Sequence, residues 1–144
     1  HTKADIARAV MEGISLEIRD IITAKSGMGI DVDRIRLTGG GSKSPMWNQI
    51  QADVYGKTVQ TVQTSETASV GAAMLAGVGV GIFKNVQEAA DAMVRVTRTY
   101  EPVPEHTKIY DELYDIYCST YESLASPEHN VYKRINDFQN RLGL

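Results

Sequence analysis

Arg34-Ile35-Arg36-Leu37-Thr38-Gly39-Gly40-Gly41-Ser42-Lys43-Ser44-Pro45-Met46-Trp47 reads as a strand, a glycine turn and a helix in succession. Ile35 and Leu37 alternate with Arg34 and Arg36, as a half-buried strand requires, and Ser44-Pro45 supplies an N-cap hydroxyl followed by proline at the first helical position. Three glycines lie between. Glycine serves where backbone takes positive φ or comes close to another group, and a helix N-terminus directly behind it offers free N–H groups and the positive end of a dipole. That combination can grip a nucleotide. A Gly-Gly-Gly-Ser run also suits a flexible linker, but a linker is not expected to join a periodic strand to a capped helix, so the run is read as an ordered turn. It is neither a P-loop nor a dinucleotide fingerprint: Ser42 separates Gly41 from Lys43-Ser44, and no further glycine recurs at the required spacing.

The helices on either side of this run follow from their caps and periodicity. Upstream, Thr2-Lys3-Ala4-Asp5 has the form of a capping box, and Ile6, Val10, Met11, Ile14, Ile18, Ile21 and Ile22 recur on one face of a helix predicted to reach about Ala24. Downstream, Met46, Trp47, Ile50 and Val54 form the expected buried stripe, with Gly56 as a left-handed cap. Trp47 is read as core on that spacing. Thr58–Val62 is β-rich and short, which places a helix between two strands in a right-handed parallel crossover.

Beyond the second strand the signals are helical. Thr67 to Leu75 carries Ala68, Gly71, Ala72 and Ala73, residues that permit close backbone packing, while Gly77, Gly79 and Gly81 are expected to weaken the helix end and form a hinge. Asn85-Val86-Gln87-Glu88 opens a short helix through about Met93. Pro102 and Pro104 end an extended piece. Ile109, Tyr110, Leu113, Tyr114, Tyr117, Tyr121 and Leu124 define a helix with a tyrosine-rich packing face, and Ser126-Pro127 is expected to restart a last helix carrying Val131, Tyr132, Ile135 and Phe138.

Composition narrows the function. The chain has 144 residues, 42% of them hydrophobic, enough for one domain with a real core, and its net charge is only −3. No basic block or stripe points to nucleic acid. The most apolar stretch, Ala68 to Phe83, is broken by four glycines and is too short to span a membrane, so no membrane role is expected. The single cysteine, Cys118, excludes an internal disulfide and suits a reducing, cytoplasmic setting. His1, His106 and His129 lie at no metal-ligand spacing and are read as surface histidines, so no metal site is assigned.

Thr38-Gly39-Gly40-Gly41-Ser42-Lys43-Ser44, followed by Trp47, Gln49, Ala52-Asp53, Gly56 and Val59, resembles the nucleotide-binding segment of the FGGY carbohydrate kinases. Glu66, Ala68, Gly71-Ala72-Ala73, Leu75-Ala76 and Gly81 resemble that family's next helix, and Pro104, Ile109-Tyr110, Tyr114 and Tyr117 its C-terminal aromatic helix. The likeness runs from about Thr2 to Leu124. It implies an α/β chain: part of an actin-like, ribonuclease-H-like ATPase domain, helix-rich with about two parallel strands. Residues 1–125 would be the C-terminal portion of the second, nucleotide-binding domain and 126–144 a helical tail.

The resemblance further implies ATP and Mg²⁺, with γ-phosphoryl transfer to a sugar hydroxyl. Gly39, Gly40 and Gly41 would pass against ribose and phosphates, and Ser44 would make an adenine-side contact beside its capping role. Gly40 is the most telling of these, because any side chain there would occupy space the nucleotide needs. Asp53 and Glu66 are read as helix-terminal or surface carboxylates. The catalytic aspartate and the sugar contacts would lie upstream, so no catalytic residue is expected in this chain and it should be inactive alone. Its start at His1 suggests truncation. The tyrosine-rich tail prompts a pentulose such as xylulose as acceptor; gluconate or glycerol, or a nucleotide sensor without phosphotransfer, are the alternatives. Strand edges and open apolar faces are expected to drive self-association, such as a dimer.

Overall fold

The computed structural model describes residues 1–64 and 66–143. In chain order its elements are α1 (Lys3–Gly27), β1 (Arg34–Leu37), a 3-10 turn (Gly40–Lys43), α2 (Pro45–Tyr55), β2 (Thr58–Val62), α3 (Thr67–Gly79), α4 (Val86–Met93), β3 (Val96–Tyr100), α5 (Pro104–Ala125) and α6 (Val131–Leu142). They fall into two compact units, His1 to Thr107 and Lys108 onward.

Within the first unit, β1 and β2 pair in parallel as expected, with Ile35 opposite Val59 and Leu37 opposite Thr61. A third strand extends the expected pair. β3 joins the far side of β2 antiparallel, Tyr100 opposite Val59, with an irregularity between Thr61 and Val62. The extended piece before Pro102 is therefore part of a mixed sheet, β1-β2-β3, and β2 is its centre. The Thr61 and Thr97 hydroxyls, 3.1 Å apart, tie the two strands where the register slips. Val59 and, on α2, Val54 are fully buried, each worth roughly 1.5–3 kcal/mol of apolar transfer.

α1 meets α2 along a seam that hydrophobic counting misses. Ser15 and Leu16 are the buried residues of α1, whereas Ile6, Val10, Ile14 and Ile21 of the predicted face are exposed. The seam is polar because α2 presents large rings. Ser15 Oγ accepts from the Trp47 indole Nε1 at 3.3 Å and donates to the Met11 carbonyl at 2.7 Å, and Tyr55 Oη donates to Gln51 Oε1 at 3.0 Å. Burial pushes the Tyr55 hydroxyl up to about 12, partly offset by its hydrogen bond with Ser15. Arg19 Nη1 donates to the Val54 carbonyl at 3.0 Å, a cation on the orphan carbonyls of the α2 C-terminus. The expected stripe on α2 is correspondingly modified: Ile50 and Val54 are buried, Trp47 is half-buried and Met46 is exposed.

The caps follow local chemistry closely. Thr2 and Asp5 form the reciprocal capping box, whose hydrogen bonds hold the Asp5 carboxyl below its usual range. Gly56 takes the left-handed conformation after α2. Asn85 Oδ1 accepts from Glu88 N at 2.9 Å, while Glu88 reaches one residue further back than expected, to Lys84 N at 2.7 Å. α3 passes through Gly77 to Gly79 instead of weakening after Leu75. A Cβ on Gly77 would lie 2.8 Å from the Phe83 ring, so that glycine is a packing contact, and both Ile82 N and Phe83 N donate to its carbonyl.

In the second unit, the remainder of α5 carries stacked Tyr114 and Tyr117 rings, and Tyr121 meets Tyr132 of α6 at 5.8 Å. The last helix begins at Val131 and not at Ser126-Pro127. Ser126 Oγ folds back onto the Ser123 carbonyl at 3.1 Å and accepts from His129 N at 3.3 Å, so it closes a turn instead of capping a helix.

Candidate functional site at the glycine turn

The turn between β1 and α2 is ordered, and its three glycines answer to three different demands. Gly39 has φ 78 and ψ −171, a region of backbone space open essentially to glycine alone. Gly41 needs clearance: a Cβ there would stand 2.8 Å from Trp47 Cζ3. Gly40 meets neither demand, having no positive φ and nothing within 4 Å of an added Cβ. It is exposed. Among the described residues, no atom requires glycine at that position.

Ser42 and Ser44 hold the turn's shape. Ser42 Oγ donates to the Gly39 carbonyl at 2.8 Å, and Ser44 N donates to the Gly41 carbonyl at 3.1 Å. Ser44 is the N-cap of α2, its Oγ accepting from Trp47 N at 3.3 Å, with Pro45 at the first helical position. Trp47, bonded to Ser15, carries the turn's position to α1.

One buried polar group behind the turn escaped sequence reasoning. Asn48 is 1% exposed, donating from Nδ2 to the Ser42 carbonyl at 2.8 Å and to Tyr100 Oη at 3.2 Å. Its only signal in the sequence is a polar residue between the stripe positions Trp47 and Ile50. Asp53, expected as a helix-terminal or surface carboxylate, lies in the last turn of α2 and is buried at 4% exposure. Its Oδ1 accepts from Gln49 Nε2 and Val103 N, and its Oδ2 from His106 Nδ1, each at 2.9 Å. These partners make Asp53 the anchor for the start of α5. Glu66 precedes α3 as expected of a helix-terminal residue, and its side chain makes no cap.

The model of the C-terminal domain of the FGGY family of carbohydrate kinases matches residues 1–80, more than half of the chain and all of the glycine turn. The chain belongs to the FGGY family. A xylulose kinase of Staphylococcus epidermidis is 38% identical over 122 residues, covering 85% of this chain and 25% of that protein. A ribulokinase of Halalkalibacterium halodurans is 34% identical over 137 residues, 91% of this chain and 24% of that protein. The xylulose kinase structure from Rhodospirillum rubrum superposes with TM-score 0.76 at 30% identity, covering 86% of this chain and 25% of that one. This chain therefore spans about a quarter of the FGGY kinases it matches, and its helix-rich architecture with a small mixed sheet is theirs.

Proposed function

We propose that this chain is the ATP-binding portion of a carbohydrate kinase that transfers the ATP γ-phosphoryl group to a sugar hydroxyl, with a pentulose such as xylulose as acceptor. Residues 1–125 form the C-terminal portion of the nucleotide-binding domain, and 126–144 a helical tail. The observation that carries this reading is Gly40. Its neighbours need to be glycine for conformation and for packing, while Gly40 leaves bare backbone facing open space at a turn fixed from both sides. Bare backbone is what close approach of ribose and phosphate requires. Gly39 and Gly41 shape the passage, and Ser44 combines capping with a polar contact to the base.

Phosphoryl transfer consists mostly of positioning and charge neutralisation, with Mg²⁺ on the phosphates and an aspartate accepting the hydroxyl proton. The described residues bring together no group of three or more His, Cys, Asp or Glu side chains that could hold a metal. On this reading the acid–base aspartate and the sugar contacts belong to the rest of the enzyme. The role left to this chain is to hold the nucleotide, and without the rest it transfers nothing.

The test is a full-length enzyme assayed for ATP-dependent phosphorylation across xylulose, ribulose, gluconate and glycerol, together with ADP titration of the wild type and Gly40→Val. Phosphorylation of a pentulose and weakened ADP binding in Gly40→Val at an unchanged melting temperature are expected. Unchanged ADP binding in the folded variant would sink the nucleotide assignment. Turnover of gluconate or glycerol in preference to both pentuloses would sink the acceptor.

A further inference from the structure

We propose that Asn48 is a positioning residue for the nucleotide, clamping the glycine turn to β3; this rests on the nucleotide reading of that turn. A buried position between Trp47 and Ile50 is apolar by default, and an amide placed there must find partners or cost stability. Asn48 finds them for one end only. Nδ2 donates to both the Ser42 carbonyl and Tyr100 Oη, while Oδ1 is buried with no hydrogen-bond partner among the described residues. Reversing the amide does not help, because it would set Oδ1 against the Ser42 carbonyl oxygen at 2.8 Å, acceptor facing acceptor. The chain thus keeps a buried oxygen unpaired in order to hold Ser42.

Stability alone does not account for that choice. Leucine has nearly the shape of asparagine, would fill the same space and would remove the orphan Oδ1, trading it for the unpaired Ser42 carbonyl and Tyr100 hydroxyl, so the two residues come out close in stability. What leucine cannot do is fix the Ser42 carbonyl, and that carbonyl sits at the centre of the turn's restraints. Ser42 Oγ reaches back to the Gly39 carbonyl, so one amide on α2 governs both ends of the stretch that carries Gly40. The far anchor is firm as well, since Tyr100 is 6% exposed and the Arg98 guanidinium lies 5.0 Å from the centre of its ring. Asn48 touches neither nucleotide nor sugar. It acts by holding bare backbone at one height, and a small displacement of a positioned group is enough to weaken binding and turnover.

The experiment is steady-state kinetics and ADP titration of the full-length enzyme carrying Asn48→Leu, Tyr100→Phe or Gly40→Val, with melting temperatures. For Asn48→Leu the expected result is an ATP KM and an ADP Kd raised about tenfold, with sugar KM unchanged and melting temperature little changed. Tyr100→Phe, which keeps the Ser42 bond, should move the ATP KM by no more than about twofold. An unchanged ATP KM in Asn48→Leu overturns the proposal. So does a lowered melting temperature with both KM values rising together, the mark of a residue that serves the fold alone. If Gly40→Val weakens ADP binding and Asn48→Leu does not, only this inference falls; if Gly40→Val leaves binding intact, the nucleotide reading itself falls.

Discussion

Replacing each of the three glycines by alanine should give three different results, because each stands in the turn for a different physical reason. At Gly39 the backbone lies at φ 78 and ψ −171, and forcing alanine into that region costs about 1–3 kcal/mol. At Gly41 the new methyl would lie 2.8 Å from Trp47 Cζ3 and 3.3 Å from Cε3. The ring must move, with overpacking of this kind costing roughly 1–3 kcal/mol, and its 3.3 Å bond to Ser15 is strained in the process. At Gly40 nothing lies within 4 Å and φ is ordinary, so alanine should be neutral or stabilise by about 0.4–1 kcal/mol through the unfolded chain. The assay is urea denaturation followed by fluorescence of Trp47, the only tryptophan in the chain, which sits against Gly41 and reports the turn directly. Gly39→Ala and Gly41→Ala should both lose stability, and Gly41→Ala should also shift the emission of the native state. Gly40→Ala should unfold like the wild type. A Gly40→Ala loss as large as that of either neighbour would refute the reasoning, because that glycine would then be explained by the fold and not by a ligand.

Other expectations follow from the groups around the turn. Asp53→Ala removes the acceptor for Val103 N, Gln49 and His106 and should cost about 3 kcal/mol, read as a lower urea midpoint with faster proteolysis between residues 101 and 107; an unchanged midpoint would show that α5 is held by other contacts. Tyr55 keeps its proton in the folded state up to about pH 12, against 10.0 when unfolded. Between those values the unfolded chain has released the proton and the folded chain has not, so stability present below pH 10 falls by roughly 3 kcal/mol as pH rises toward 12. Tyr55→Phe should flatten that part of the pH profile, and an equally steep decline in the variant would count against it. Ile6, Val10 and Ile21 on α1 and Leu75 on α3 are more than half exposed, so the isolated 144-residue chain should self-associate; light scattering showing a monomer at high concentration would contradict this.

What could be read from the sequence was mostly local. Thr2 with Asp5, Ser44 with Pro45 and Asn85 with Glu88 each carry a cap within three residues, and the structure forms all three. The parallel pairing of β1 with β2 was legible because only one helix intervenes. β3 was not, since Val96–Tyr100 becomes a strand by pairing with residues nearly forty positions earlier, and nothing in the segment itself names that partner. Ser126-Pro127 misled for the opposite reason, as a local helix-start signal whose hydroxyl is taken by a turn. At the glycine turn, Gly39, Gly40, Gly41 and Ser44 stood out by type, but why each glycine is there depends on Trp47 and on backbone angles, and Asn48 gave almost no signal.

α1 shows most clearly what a hydrophobic pattern does and does not encode. Its isoleucine face has helical spacing, yet Ile6, Val10, Ile14 and Ile21 are exposed, while Leu16 and Ser15, the latter bonded to Trp47 of α2, are buried. Both facts have a physical cause. A small hydroxyl lets the Trp47 indole and the Tyr55 ring approach and satisfies the indole N–H, so the seam is chosen by shape and hydrogen bonding over apolar count. The isoleucine stripe still requires cover. Periodicity therefore stated a demand for burial without stating who meets it. Where demand and observed burial disagree, as along Ile6, Val10, Ile14 and Ile21, the mismatch marks an apolar surface left open to another copy or another segment.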